Sequence, residues 1–438
     1  MNRQLLLSAL ATATITGLAL AATAAVPADA GPLQHRSAAI AASGTRQWLA
    51  RLGGTSVGTD VVASPLGSAV FVTGWSDRTT PLGPILEGTT VAYNPATGAR
   101  LWAAHYSPGV HSHVTFSRLA VSPGGSRVFV IASDFELSRS SGRNFLTVAY
   151  SAATGAQLWA DKTTLKGNLN SVAVSPDGNS VYVTGDGASG STPTTVAYNA
   201  ATGAQLWAQD TGVQGAAVAV SPDGSSVYVT GGGADGPATV GFSAATGTVL
   251  WSSPAAVAPR ALVVSPDGSR VFITGATGTQ AYTAATGKVL WTTPDIFTPG
   301  AIAISPDGAA VFITDLGVRG AVQLANVHAY AAATGARLWS VRTSIRQGSL
   351  AVSPDGTKLF LAGEAPGPDG DHPTLYGTAA LSTGTGAQLW IARYRSTFTA
   401  SANAVAVSPD GSQVFVTGDV ESPEPAFISS SVTLAYSS

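Results

Sequence analysis

Two phrases with strand-like alternation of apolar and polar positions recur along the chain. The first is SVAVSPDGNSVYVTG at residues 171–185, in which two β-branched runs flank Ser175-Pro176-Asp177-Gly178. Related turns begin at Ser64, Ser122, Ser221, Ser265, Ser305, Ser353 and Ser408. Pro suits the second place of a type I turn, Asp tolerates the third, and Gly takes the left-handed place that follows, so S-P-D-G predicts a tight hairpin. The second phrase, AYNAATGAQLW, ends at Trp207, and its copies end at Trp102, Trp159, Trp251, Trp291, Trp339 and Trp390. Here Ala-Thr-Gly turns between two further strands, with Gly203 free to adopt positive φ. Each unit therefore predicts four antiparallel strands, A to D, with the S-P-D-G turn between A and B and the Trp on D.

The chain opens on a lone half-copy around Trp48 and closes on the opposite half around Tyr436. Joining the two gives eight complete units. Repeated four-stranded units of this length are the mark of propeller blades. The expected fold is all-β: an eight-bladed β-propeller of four-stranded antiparallel blades, closed by pairing the N-terminal strand with the C-terminal ones. Closure removes the free edges that a linear array leaves. An open solenoid would carry atypical capping repeats, and none is visible.

At AYNAATGAQLW the sequence resembles the tryptophan-docking motif of quinoprotein (PQQ-type) propellers, A-x-D-x-x-T-G-x-x-x-W, with Ala197, Thr202, Gly203 and Trp207 at its fixed places. The resemblance implies that Trp48, Trp102, Trp159, Trp207, Trp251, Trp291, Trp339 and Trp390 pack between neighbouring blades. The phrase SPDGSSVYVTG also resembles the YVTN-type repeats of surface-associated and lactonase-like proteins. Together the resemblances cover nearly all of the chain after residue 45. The acidic or Asn place of the docking motif is kept at Asn94 and Asn199 but is Ser151, Ser243, Thr283, Ala331 and Ser382 elsewhere. Many quinoprotein dehydrogenases stack their cofactor on a disulfide between adjacent Cys, and this chain has no Cys. The fold is carried over and the quinone is not, so no cofactor and no metal are expected.

Composition narrows the class further. Charged residues make up 11% of the 438, and the net charge is −2. That is no electrostatic footprint for nucleic acid. The absence of Cys also rules out disulfides and thiolate chemistry. Arg3, an apolar run from Leu5 to Val26, and Ala28-Asp29-Ala30 predict a secretory signal peptide over 1–30. The run is long enough to serve instead as a retained anchor, although Ala, Thr and Gly dilute it. A flexible linker is expected over 31–44 and the propeller over 45–438. The expected product is secreted or resident in the cell envelope, monomeric, and not inserted in a membrane after cleavage.

The spacings single out one face. The C-strand Tyr place and the D-strand Trp are always nine residues apart, from Tyr93 and Trp102 to Leu381 and Trp390. The interval from Trp to the next S-P ranges from 14 (Trp207 to Ser221) to 20 (Trp102 to Ser122). That from S-P to the Tyr place ranges from 17 (Ser265 to Tyr282) to 29 (Ser64 to Tyr93). Strands alternate in direction, so all the variation lies on the face of the B–C and D–A connections, where binding residues tend to be placed.

The unusual chemistry falls there too. Trp75, with Asp77 and Arg78, offers a stacking contact for a sugar or aromatic ligand, or simply covers its loop. His105, His111 and His113 are too few for a closed metal site without Asp134, and otherwise are exposed loop histidines. Asp134, Asp186, Asp235, Asp315, Glu364 and Asp419 follow strand B, either as a loose ring that attracts Ca²⁺ or a cationic ligand, or as solvated turn residues. Pro366 to Asp371 lacks the distal Glu of an EF-hand. No G-x-S-x-G, H-E-x-x-H or phosphate loop occurs. The expected function is an exported, non-catalytic binding module for an extracellular protein, glycan or small ligand, acting through the variable face. Its centre is expected over the first two blades, at Trp75, Arg78, His105, His111, His113, Asp134, Phe135 and Arg143. The alternative is a propeller enzyme, a quinoprotein-like oxidoreductase or lactonase-like hydrolase, which rests on fold resemblance alone.

Overall fold

The computed structural model describes residues 43–81, 83–107, 109, 112–136, 143–187, 194–233, 236–293, 299–319, 322–346, 348–367, 374–396, 399–421 and 429–438. It is an eight-bladed β-propeller. Blade 4 shows the unit: Gln214–Val220, Ser226–Gly232, Ala238–Ser243 and Val249–Pro254 pair in sequence order as strands A to D. The A strands of successive blades adjoin one another around the axis. Blades 2 and 3 share Gln157–Val174, which is the D strand of one and the A strand of the other, so they merge into a seven-stranded sheet. The ring closes as expected. Arg46–Arg51 pairs antiparallel with Ser429–Ser437, bringing Leu49 opposite Leu434 and Arg51 opposite Val432.

No sheet hydrogen bonds join most blades, so side chains must. Each docking indole rests on an aromatic ring of its own B strand, as Trp207 does on Tyr182 at 5.7 Å and Trp102 on Phe71 at 5.8 Å. Its other side meets the next blade, as Trp159 meets Tyr198 at 5.9 Å. Except at Trp390, its Nε1 donates to a carbonyl there: Trp102 to Ala152 at 2.9 Å, Trp207 to Ala244 at 2.9 Å, Trp251 to Ala284 at 2.9 Å. The indole also covers the glycine of the next Thr-Gly turn. Gly203 has φ 73°, and a Cβ there would lie 2.6 Å from Trp159 Cδ2. Gly is therefore required twice over, by conformation and by close approach. The eighth glycine is Gly44, with φ 78° and set against Trp390. The last docking motif is thus assembled from both ends of the chain.

The Trp itself is placed by a β-bulge. Trp207 pairs with Ala197 and Gln205 with Tyr198, which leaves Leu206 extra and 49% exposed. The same shift recurs at every D strand, including the composite one. Bulged edges twist away from foreign strands. In the S-P-D-G turns, Ser175 Oγ donates to Asp177 Oδ1 at 2.5 Å and accepts from Ser180 N at 2.9 Å, while Asn179 N donates to Asp177 Oδ1 at 3.0 Å.

Several segments expected as long loops on the variable face are extended hairpins. Val70–Thr80 pairs with Gly83–Tyr93 as far as Thr80 opposite Gly83, and Ala310–Arg319 pairs with Val322–Ala331 as far as Arg319 opposite Val322. Backbone pairing satisfies these peptide groups beyond the blade body, which a polar sequence alone does not disclose.

Two outcomes follow. In urea unfolding, Trp207→Ala is expected to cost roughly 3–5 kcal/mol as a buried large-to-small change, and Gly203→Ala roughly 2 kcal/mol or more from strain and overlap. Loss below about 1 kcal/mol for Trp207→Ala would show that the indole is not core. The second concerns acid. The hydroxyl of Ser175 holds Asp177 below its ordinary 3.8, and Asp223, Asp267 and Asp307 are lowered in the same way. At Asp355 and Asp410 burial pushes upward, but the Ser hydroxyl and backbone N–H groups outweigh it. A depressed folded-state pKa gives stability that is complete above the unfolded value and is lost as pH falls through the folded one. The urea midpoint should therefore fall below about pH 4, and Asp177→Asn with Asp223→Asn should flatten that fall.

Candidate functional site at the channel mouth

The A strands enter the ring from the variable face, and most carry an extra residue where they do so. Register shifts leave Thr59, Ser117, Asn170, Ala216, Arg260 and Asn403 unpaired in their strands. The polar ones clasp the next blade. Thr59 Oγ1 donates to Phe116 O at 2.9 Å, Ser117 Oγ to Leu169 O at 3.3 Å, Asn170 Nδ2 to Gly215 O at 3.0 Å, and Asn403 Nδ2 to Gly58 O at 2.8 Å. One position on, Asp60 accepts from Leu119 N at 3.0 Å and Ser171 Oγ from Val218 N at 3.2 Å. Blades 8, 1, 2, 3 and 4 are laced this way. From blade 4 to blade 7 the same place is Ala216, Arg260, Gly300 and Gly348. Ala216, Gly300 and Gly348 leave room at the axis.

That room is a cavity of about 490 Å³ whose charged lining is Asp60, Arg118, Arg260, Arg346 and Glu364. Burial pushes the Asp60 carboxyl above its ordinary range, against the pull of Arg118 and of the Leu119 and Val61 N–H groups. Arg118 Nη1 donates to Ser117 O at 3.0 Å, and its buried Nε has no acceptor. Arg346 Nη1 stands 3.9 Å from Glu364 Oε2. Asn403 Nδ2 also reaches Asp419 Oδ1 at 3.2 Å. Burial raises the Asp419 carboxyl, Asn403 lowers it, and neighbouring Glu421 and Glu364 raise it further.

Of the residues expected over blades 1 and 2, His105, His113, Asp134 and Arg143 have local partners. Trp75 is half-buried in strand B of blade 1, and Arg78 is exposed farther along it. His105 lies on strand D, with Nδ1 3.0 Å from Glu87 Oε1 and 3.1 Å from Thr89 Oγ1. His113 lies on strand A of blade 2, where its Nδ1 accepts from Leu86 N at 2.8 Å. This tie stitches blade 2 to the blade 1 hairpin. His111 and Asp235 lie outside the described residues. Asp134 is fully buried and pairs with Lys162 at 2.5 Å. Arg143 Nη1 donates to Asn168 Oδ1 at 2.6 Å. Asp186 accepts from Asn168 N at 2.8 Å and Asn168 Nδ2 at 3.2 Å, and Asp315 accepts from Asn326 Nδ2 at 2.8 Å beside His328. The acids after strand B are therefore occupied singly. Among the described residues no three His, Cys, Asp or Glu side chains gather to hold a metal.

Comparison with known proteins sets the fold in a family. The model described as "Outer membrane protein assembly factor BamB", of the PQQ-type repeat class, matches residues 143–259 and 234–420. The chain belongs to that family. BamB from Moraxella catarrhalis shares 17% identity at a TM-score of 0.53, over 91% of this chain and 98% of that one. The quinohemoprotein alcohol dehydrogenase of Comamonas testosteroni gives 15% and 0.62 over 92% and 78%, and Sqt1 of Chaetomium thermophilum 12% and 0.63 over 90% and 98%. At these identities the likeness is one of fold. No curated protein sequence matches the chain. PQQ does not fit the residues described at the mouth. There is no Cys to supply a stacking disulfide, and the described residues assemble no acidic set for its calcium.

Lys162→Met should strand the Asp134 carboxylate without its cation, at a cost of roughly 3 kcal/mol in urea unfolding. Adding Asp134→Asn should recover much of that. An unchanged midpoint in the single variant would mean that the ion pair does not form.

Proposed function

We propose that this BamB-family protein is an exported, non-catalytic binding module that takes its ligand at the channel mouth on the variable face. The observation that carries this reading is coincidence of place. The face that absorbs all the length variation is also the one on which the ring opens into a charged cavity. The chemistry on view suits recognition. Thr59 spends its hydroxyl on two carbonyls. His113 and His105 are tied to Leu86 and Glu87, and His328 stands 3.3 Å from Asp315. Among the described residues none of these stands as a nucleophile beside a free base. Kinship with an assembly factor supports binding over turnover, and the signal-like sequence of residues 1–30 supports export.

The test is a thermal-shift screen of the purified protein against glycans, peptides and small acids, followed by radical footprinting of any hit. Protection is expected on the A-strand entries near Thr59 and Arg260. Protection confined to the Ser-Pro-Asp-Gly turns would overturn the reading. Reconstitution with PQQ and Ca²⁺ should give no dye-linked oxidation of alcohols or sugars, and robust turnover would replace the binding module with an enzyme.

A further inference from the structure

We propose that the mouth recognises a small amphoteric ligand, with an anionic group held by Arg260 and an ammonium group by Glu364. This rests on the binding-module reading above and specifies the ligand class. The mouth carries both signs of charge. Asp60 of blade 1 feels the pull of Arg118 of blade 2, and Arg346 stands 3.9 Å from Glu364 of blade 7, whereas Arg260 of blade 5 has no such counter-charge among the described residues.

Both sides have unspent capacity. Arg260 is exposed into the cavity among Ala261, Gly300 and Ala301, and makes no hydrogen bond or ion pair with the described residues. Its five donors face small, non-competing neighbours. Arg118 keeps a buried Nε without an acceptor, a cost that a ligand oxygen would relieve. Opposite, the 3.9 Å separation of Arg346 from Glu364 is too long for a hydrogen bond, so the Glu364 oxygens can still accept. Burial raises the Asp419 carboxyl, the Asn403 hydrogen bond lowers it, and Glu421 and Glu364 add to the rise, so negative charge gathers at this edge of the mouth.

A cavity of about 490 Å³ lies within the size range of small-molecule sites. A ligand of one sign would satisfy one side and leave the other desolvated and unpaired, which costs affinity. A ligand carrying both charges at its ends avoids that penalty.

Three probes of equal chain length separate the possibilities: ε-aminocaproate, adipate and hexamethylenediamine, titrated into the purified protein by ligand-observed NMR. The amphoteric probe is expected to bind saturably and at least about fivefold more tightly than either symmetric one. Arg260→Ala should weaken ε-aminocaproate and adipate roughly tenfold and spare the diamine, while Glu364→Gln should weaken ε-aminocaproate and the diamine and spare adipate. Arg260 is exposed and Glu364 partly so, and unchanged melting temperatures in both variants check the fold. Equal or tighter binding of a symmetric probe, or binding indifferent to both substitutions, overturns the assignment. If no probe binds while a screened ligand still protects the mouth, the amphoteric assignment falls and the binding module stands. Protection on the turn face removes both.

Discussion

The ring depends on an indole laid over a bare glycine. Separate sheets share no backbone ladder, so the junction between blades must come from side chains. Trp supplies a large apolar face together with one N–H that reaches a carbonyl. Neither works unless the facing turn has positive φ and no Cβ, which is why Thr-Gly and Trp recur together. The unit is also directional. Each Trp serves the next blade, so the pattern can end only by returning to its start. Gly44 under Trp390 and Trp48 Nε1 bonded to Pro95 O are that return.

The composite blade is where the pattern thins. Trp390 keeps its glycine contact, but its buried Nε1 finds no acceptor. An unmet buried donor costs on the order of 1–3 kcal/mol. On the turn face, a Cβ added at Gly178, Gly224, Gly268, Gly308, Gly356 or Gly411 would meet a Pro of the preceding blade, whereas one at Gly67 would meet nothing. Both departures flank the blade built from two chain ends. The Asn403 bond to Gly58 O and the paired strands of the closure compensate at the axis and within the sheet.

Much of this was legible because repetition makes each position its own control. Seven Trp at fixed distance from Thr-Gly, and half-copies at opposite ends, leave little but a closed ring. Strand parity then assigns the variable face. The site was less legible, for two physical reasons. Residues such as His113 and Asp134 look free in sequence because their partners, Leu86 and Lys162, lie 27 and 28 residues away, across hairpins whose pairing the polar composition conceals. The mouth, in turn, is assembled from single positions in several blades. Arg118 and Arg260 sit in strands that otherwise read as apolar. One signal was present. When the A strands are aligned on their Ser-Pro, the place five before the Ser holds Thr, Ser, Asn, Ala, Arg, Gly, Gly and Asn, one position ahead of a run of Val, Leu, Ile and Ala. Such variety beside such constancy marks a position released from packing.

That release follows from where the ring is held. Indole docking fixes the blades away from the axis, so the A-strand entries need not carry the junction everywhere. Half the ring still uses them as clasps. In the other half the clasps give way to Arg, Gly and Ala, and the cavity widens toward them. A ligand seated in it would meet blades 5 and 7 and also blade 8, whose Ser401 to Ala404 line the cavity. Blade 8 exists only when the N-terminal strand is in place. Binding and closure therefore select the same state, and whatever free energy a ligand contributes at the mouth also favours the closed ring.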